Sequence, residues 1–237
     1  VITATVLVVL LVLALAGALA DRVCAELAER KAAEYLAGPF GQVPTVRVHG
    51  RPFLTQALRG RYRDIEVSGG GLRIGEMAGA TLNAHVYNAV LPPRAMLGAR
   101  ATSLPCERVD GRIVLPYGEV ARISRIPGLT LDYEDQRLVA SAALPVPGVN
   151  QLARVSGEAR LSVVGGAVWL RVRGLSVAGI SLPGLVLKQL MPRLNVPIPL
   201  PPLPYGLRLD ELKPMPSGLL VCGSADHVVF ARPADLN

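Results

Sequence analysis

The rhythm of apolar and polar positions changes twice along the chain. Residues 1–20 hold 17 apolar side chains and no charge. As a helix rising ~1.5 Å per residue, such a run is about as long as a bilayer's hydrocarbon core is thick. From Asp21 to Ala37 the period is helical: Cys24, Ala28, Ala32, Tyr35 and Leu36 share a face, and Glu26, Glu29, Arg30 and Glu34 lie largely opposite. Gly38-Pro39 predicts the stop. Beyond Gly41 the period becomes two. Alternation is clearest over 82–90, 138–144 and 155–163, and Gly165-Gly166 predicts a tight turn from the last of these into a strand at 167–173. Shorter strands are expected at 43–48, 63–67, 112–115, 129–133, 207–212, 219–222 and 227–230. Gly69-Gly70-Gly71 reads as a hairpin turn and Glu134-Asp135 as a solvated turn; Ser224, Asp226 and His227 have the residue types of a catalytic triad but, within four residues, read as a polar turn. Short helices are expected at 117–124 and 184–195. The body is therefore α+β, an antiparallel sheet with a few amphipathic helices.

The apolar run has two readings. A signal anchor would stay in the membrane; a signal peptide would be cut after Ala18-Leu19-Ala20. Its length favours the anchor, and either reading exports the body, a single domain over 21–237. The whole chain of 237 residues is 51% hydrophobic. Without the first segment the share is roughly 48%, ordinary for a globular domain. A polytopic membrane protein and a disordered chain are both excluded.

Net charge is +7, and Arg47, Arg51, Arg59, Arg61 and Arg63 fall in one stretch without an acid. An exported domain with few aromatics is a poor nucleic-acid binder, so no nucleic-acid partner is expected. An anionic membrane surface or lipid phosphate fits better, beside the plain alternative of a solvated basic face. Of three cysteines, Cys106 and Cys222 are the candidate disulfide, and Cys24 reads as a helix-face residue.

Catalytic sets are weak. His49, His85 and His227 stand in no zinc-binding spacing, and no G-x-S-x-G elbow occurs. No catalytic residue, metal or cofactor is expected. More telling are aliphatic, charge-poor segments around Phe53-Leu54, Leu91–Leu97 and Leu185–Leu203; the last includes six prolines within residues 192–204. They could be plain core or the wall of an acyl-chain cavity.

In this order, several segments resemble the LmeA-like family of phospholipid-binding envelope proteins of mycobacteria and related actinobacteria. They are the apolar segment running into the helix Asp21–Leu36, Val46-Arg47-Val48, Gly50–Gly60 with its G-x-P-F-L-x-Q start, Tyr62–Val67, Leu200–Leu209 with its L-P-x-L-P-x-G-L pattern, and Ser217–Val221. The resemblance implies a tubular lipid-binding (TULIP, BPI-like) fold, a long curved antiparallel sheet wrapped around an amphipathic helix. It implies a noncatalytic body over 21–237 that binds phospholipids, phosphoinositides among them, and serves envelope maintenance and lipomannan synthesis. The resemblance supplies no short motif for the site, so the site residues are read from the sequence itself: Phe53, Leu54, Leu58, Leu187, Leu190, Leu194 and Ile198, from the aliphatic segments, are expected around the acyl chains. Arg51, Arg59 and Arg61 are expected at the headgroup or membrane surface. A structural or interaction protein of the envelope is the alternative, and a lipid-modifying enzyme a weaker one.

Overall fold

The uncharged run and the amphipathic stretch after it form one helix, α1 (Ile2–Phe40). The structure is a computed structural model that describes residues 2–92, 103–124, 126, 128–145, 152–164, 167–177, 180–181, 196–198 and 206–231. In the second half of α1 the sheltered positions are 21, 24, 25, 28, 29, 32, 33, 36, 37 and 40. That i, i+3, i+4 stripe is what a helix needs to lie on a neighbour. Tyr35, expected on this face, lies off it and is 57% exposed. Gly41, at φ 68°, turns the chain out of the helix. Among the described residues no helix is long and apolar enough to cross a membrane; the side chains of residues 1–9 lie outside the description.

Two antiparallel sheets follow, where one long sheet was expected. The first contains β1 (Thr45–His49), β2 (Arg61–Ile74), β3 (Met77–Val90), β4 (Ser103–Leu115), β11 (Arg208–Met215) and β12 (Gly218–Ala231), in the order β1-β2-β3-β4-β12-β11. The second contains β5 (Thr130–Glu134), β6 (Arg137–Pro145), β7 (Leu152–Val164), β8 (Ala167–Val177) and β10 (Val196–Ile198), in the order β10-β8-β7-β6-β5; β9 (Ile180–Ser181) also pairs with β8. Two short helices, α2 (Phe53–Arg59) and α3 (Tyr117–Ile123), complete the described elements.

The meander β5-β6-β7-β8 follows the alternation in the sequence. Leu138, Ala140 and Ala142 are buried, as are Val155 and Ala159. Val164 pairs with Ala167, so β7 and β8 are joined by two residues. At the β5–β6 turn Asp135 and Gln136 both have positive φ, 47° and 61°, the signature of a type I′ hairpin.

Two polar or glycine-rich stretches are strand, where turns were expected. Gly69-Gly70-Gly71 lies inside β2, and the turn falls at Gly75-Glu76. Glycines carry no facing information, so periodicity is silent there. Ser224–Asp226 lies within β12. His227 has φ 54°, and Asp226 and His227 are both exposed between buried Ala225 and Val228. One irregular residue breaks the alternation and imitates a turn. The helix expected at 184–195 lies outside the described residues.

By its contacts the chain divides into two compact units. One comprises Val1–Gly69, Asn83–Asp110 and Ala225–Asn237; the other comprises Gly70–Leu82 and Gly111–Ser224. The second unit holds a core cluster that includes Leu115, Val120, Leu138, Val155, Leu170 and Val172. Each such side chain contributes about 1.5–3 kcal/mol on burial. Gly157 sits at a register shift between β7 and β8, and a Cβ there would come within 2.8 Å of Arg173 O and 2.7 Å of Val172 Cγ1. Tyr117 ties α3 to β11: its hydroxyl donates to Met215 O at 2.8 Å and accepts from Met215 N at 3.1 Å.

Candidate functional site

The segment that carries Phe53, Leu54 and Leu58 is α2. Its N-cap residue is Pro52, which offers no side-chain cap. A carboxylate from α1 takes that role. Asp21 Oδ2 accepts from Phe53 N at 3.0 Å and Oδ1 from Leu54 N at 2.7 Å. Helix N-terminal N–H groups need such partners, and a negative charge there also suits the helix dipole. Further along the stripe, Glu29 Oε1 accepts from Val48 N at 2.7 Å. Two acids of α1 therefore hold α2 and β1 by their backbones.

Gln56 holds α2 from the other side. Buried at 8% exposure, it donates to Gly50 O at 2.8 Å and His49 O at 3.3 Å, and accepts from Arg63 N at 3.0 Å. Gly50 has φ +96°, and a Cβ there would meet Gln56 Nε2 at 3.0 Å. Phe53 is buried and lies 6.2 Å, ring to ring, from buried Tyr62. Burial raises the Tyr62 phenol above its ordinary pKa. In the distinctive segment Gly50–Gln56, then, three residues serve packing: Gly50 makes room, Phe53 fills the core and Gln56 bonds the backbone.

The outward face of α2 is different. Leu54 and Leu58, one helical turn apart, are 37% and 78% exposed. Arg51, Arg59 and Arg61 are exposed, and none has an ion-pair partner among the described residues. Arg47 and Arg63 are exposed as well. The structure thus brings Leu54, Leu58 and the three arginines onto one short segment and separates Phe53 from them. Leu187, Leu190 and Leu194 lie outside the described residues. Ile198 ends β10, paired with Val168, and its side chain is not described.

A polar cluster that the sequence does not reveal lies across β1, β2 and β3. His49 Nε2 is 2.8 Å from Glu66 Oε2, and Asn83 Nδ2 donates to Glu66 Oε1 at 3.0 Å. His85 Nδ1 is 3.0 Å from Asp64 Oδ1. The two imidazoles stack at 6.3 Å, and Tyr87 stacks on His85 at 5.9 Å. The bonded residues are 17 to 21 apart in sequence, so only strand register brings them out. The hydrogen bond from His49 is the main influence that lowers the Glu66 pKa. Among the described residues no group of three or more His, Cys, Asp or Glu could hold a metal ion.

In the second unit an apolar crevice is lined by Ile126, Leu129, Ala140, Val155, Leu170 and Leu175, among others. The free space inside it is about 10 Å³, room for about one water molecule and far below the ~300 Å³ at which ordinary ligand pockets begin. The candidate disulfide is corrected: Cys106 and Cys222 are both free thiols. Buried Cys106 donates to Val228 O at 3.4 Å. Burial raises the pKa of both thiols.

Compared with known proteins, the sequence matches one family model, described as LmeA-like phospholipid-binding, over residues 19–224. No curated protein and no solved structure matches.

Proposed function

Because the chain belongs to the LmeA-like phospholipid-binding family, we propose that it is a noncatalytic phospholipid-binding protein of the cell envelope. The observation that carries this reading is the family match, which spans nearly the whole body. In the proposal residues 1–20 deliver the chain to the membrane and anchor it, and the body works on the exported side. The aliphatic segment with Leu187, Leu190, Leu194 and Ile198 walls the acyl chains in a TULIP-like arrangement. Each methylene moved from water would contribute about 0.8 kcal/mol, so two chains supply ample driving force. Phosphoinositide is the proposed ligand class, and support of lipomannan synthesis or lipid transfer the proposed role. Lipid extraction and native mass spectrometry of purified full chain test the reading. Co-purifying or reloaded phospholipid in a fixed ratio is expected; protein that stays lipid-free when offered phospholipid would overturn it.

A second reading, a structural or interaction protein of the envelope, draws on the small size of the crevice in the second unit. The same experiment separates the two, because only the first requires a stoichiometric lipid.

A further inference from the structure

The outward face of α2 ends in Leu58, which is left largely uncovered. Its inward side is accounted for: Phe53 and Gln56 are buried, and Asp21 satisfies its first N–H groups. What remains is Leu58 at 78% exposure, Leu54 at 37%, and the exposed Arg51, Arg59 and Arg61 close by in sequence. An isolated exposed leucine is ordinary. Two leucines one helical turn apart, in a short segment that also carries three exposed arginines and no acid, form a pattern of another kind. Aliphatic tips among guanidinium groups suit the headgroup layer of an anionic bilayer, where apolar area is buried and phosphates are met together.

The position of this face supplies the second observation. Asp21 is the first charged residue after the uncharged run, and it bonds the backbone of Phe53 and Leu54 directly. Residues of α1 just before and after it, Leu15, Leu19, Val23 and Leu27, are exposed apolar side chains. The clamp therefore fixes α2 at the level where the apolar part of α1 gives way to its charged part. A membrane interface has that same order of layers.

We propose that α2 is a membrane-contact foot. Leu54 and Leu58 enter the interface of an anionic bilayer, and Arg51, Arg59 and Arg61 meet its phosphates. The foot is a property of the body's surface and needs no lipid cargo, so it goes beyond the proposed function.

The test places a reporter on the foot. The chain has one tryptophan, Trp169, on β8. Full-length protein carrying Leu58→Trp in a Trp169→Phe background is mixed with vesicles of phosphatidylcholine and phosphatidylglycerol whose phosphatidylcholine chains are brominated. Blue-shifted emission and quenching are expected. Adding Arg51→Gln, Arg59→Gln and Arg61→Gln together should cut quenching of the Leu58→Trp reporter by about half or more on anionic vesicles. Emission from that reporter that stays water-exposed while the protein sediments with the vesicles would overturn the proposal. So would quenching on anionic vesicles that the three arginine changes leave unaltered. A blue shift without vesicles that grows with protein concentration would overturn it too, by assigning the face to a second copy. Lipid content measured on the same variants separates the two readings: quenching without cargo leaves the foot and removes the carrier, and the reverse result does the opposite.

Discussion

Glu66 shows how much a single side chain can depend on register. It is bonded to His49 and Asn83 on the strands to either side, and its pKa lies below the ordinary 4.5. A carboxylate lowered in the folded state adds stability above its unfolded pKa; that stability is lost as pH falls through the folded value. Denaturant midpoints of the wild type should therefore drop on acidification below about pH 4.5, and Glu66→Gln should drop less steeply over that range. At neutral pH that variant should cost about 1 kcal/mol. A wild-type and variant pair with parallel pH profiles would refute the assignment. The cysteines give a second prediction. Unfolded without reductant, the protein should show all three thiols to Ellman's reagent; in the native state Cys106, buried and raised in pKa, should react last.

At the scale of elements, the fold is most legible in the sequence where one face is buried and the other is wet. β6, β7 and β8 alternate cleanly, and Gly165-Gly166 already marks the two-residue link between β7 and β8. Legibility fails where side chains carry no facing information, as over the glycines of β2, or where one irregular residue shifts the alternation, as at His227 in β12. The segment Gly50–Gln56 stands out from sequence alone, but Phe53, expected against ligand, belongs to the core. A phenylalanine reads alike in either place until its neighbour Tyr62 is known. The His–carboxylate cluster is illegible for a related reason: its members meet only through cross-strand pairing. Gly157→Ala should destabilise the protein by about 1–3 kcal/mol, because the methyl would press on the β8 backbone at a site with no room to relax. Tyr117→Phe should cost about 1–2 kcal/mol, since Met215 would lose a donor and an acceptor at once. Thermal or denaturant unfolding measures both; a neutral result at either position would mean the local packing differs from that described.

For the whole molecule, the family is established by sequence and the two sheets by structure. The apolar residues divide by use. Those of the second unit close a core around β6, β7 and β8, with only a small crevice left. Many of those on α1, with Leu54 and Leu58 on the outer face of α2, stay uncovered. If the foot works as proposed, removing residues 1–20 should leave a body that still prefers anionic over zwitterionic vesicles, with a preference that weakens as salt rises. Flotation of that shortened body at low and high salt would show it, and binding indifferent to lipid charge would argue against the arginines.

The bond between Asp21 and α2 also makes the foot a witness to processing. A peptidase acting after Ala20 would make Asp21 the first residue of the mature chain. Its new ammonium would then lie on the same residue as the carboxylate that holds Phe53 and Leu54, and the helical turn that now precedes it would be gone. The carboxylate would acquire a competing partner and lose its rigid support. Cut and uncut chains would thus share one sequence from Asp21 onward yet hold α2 with different firmness. Maturation would in this way loosen a surface well downstream of the cut without touching it.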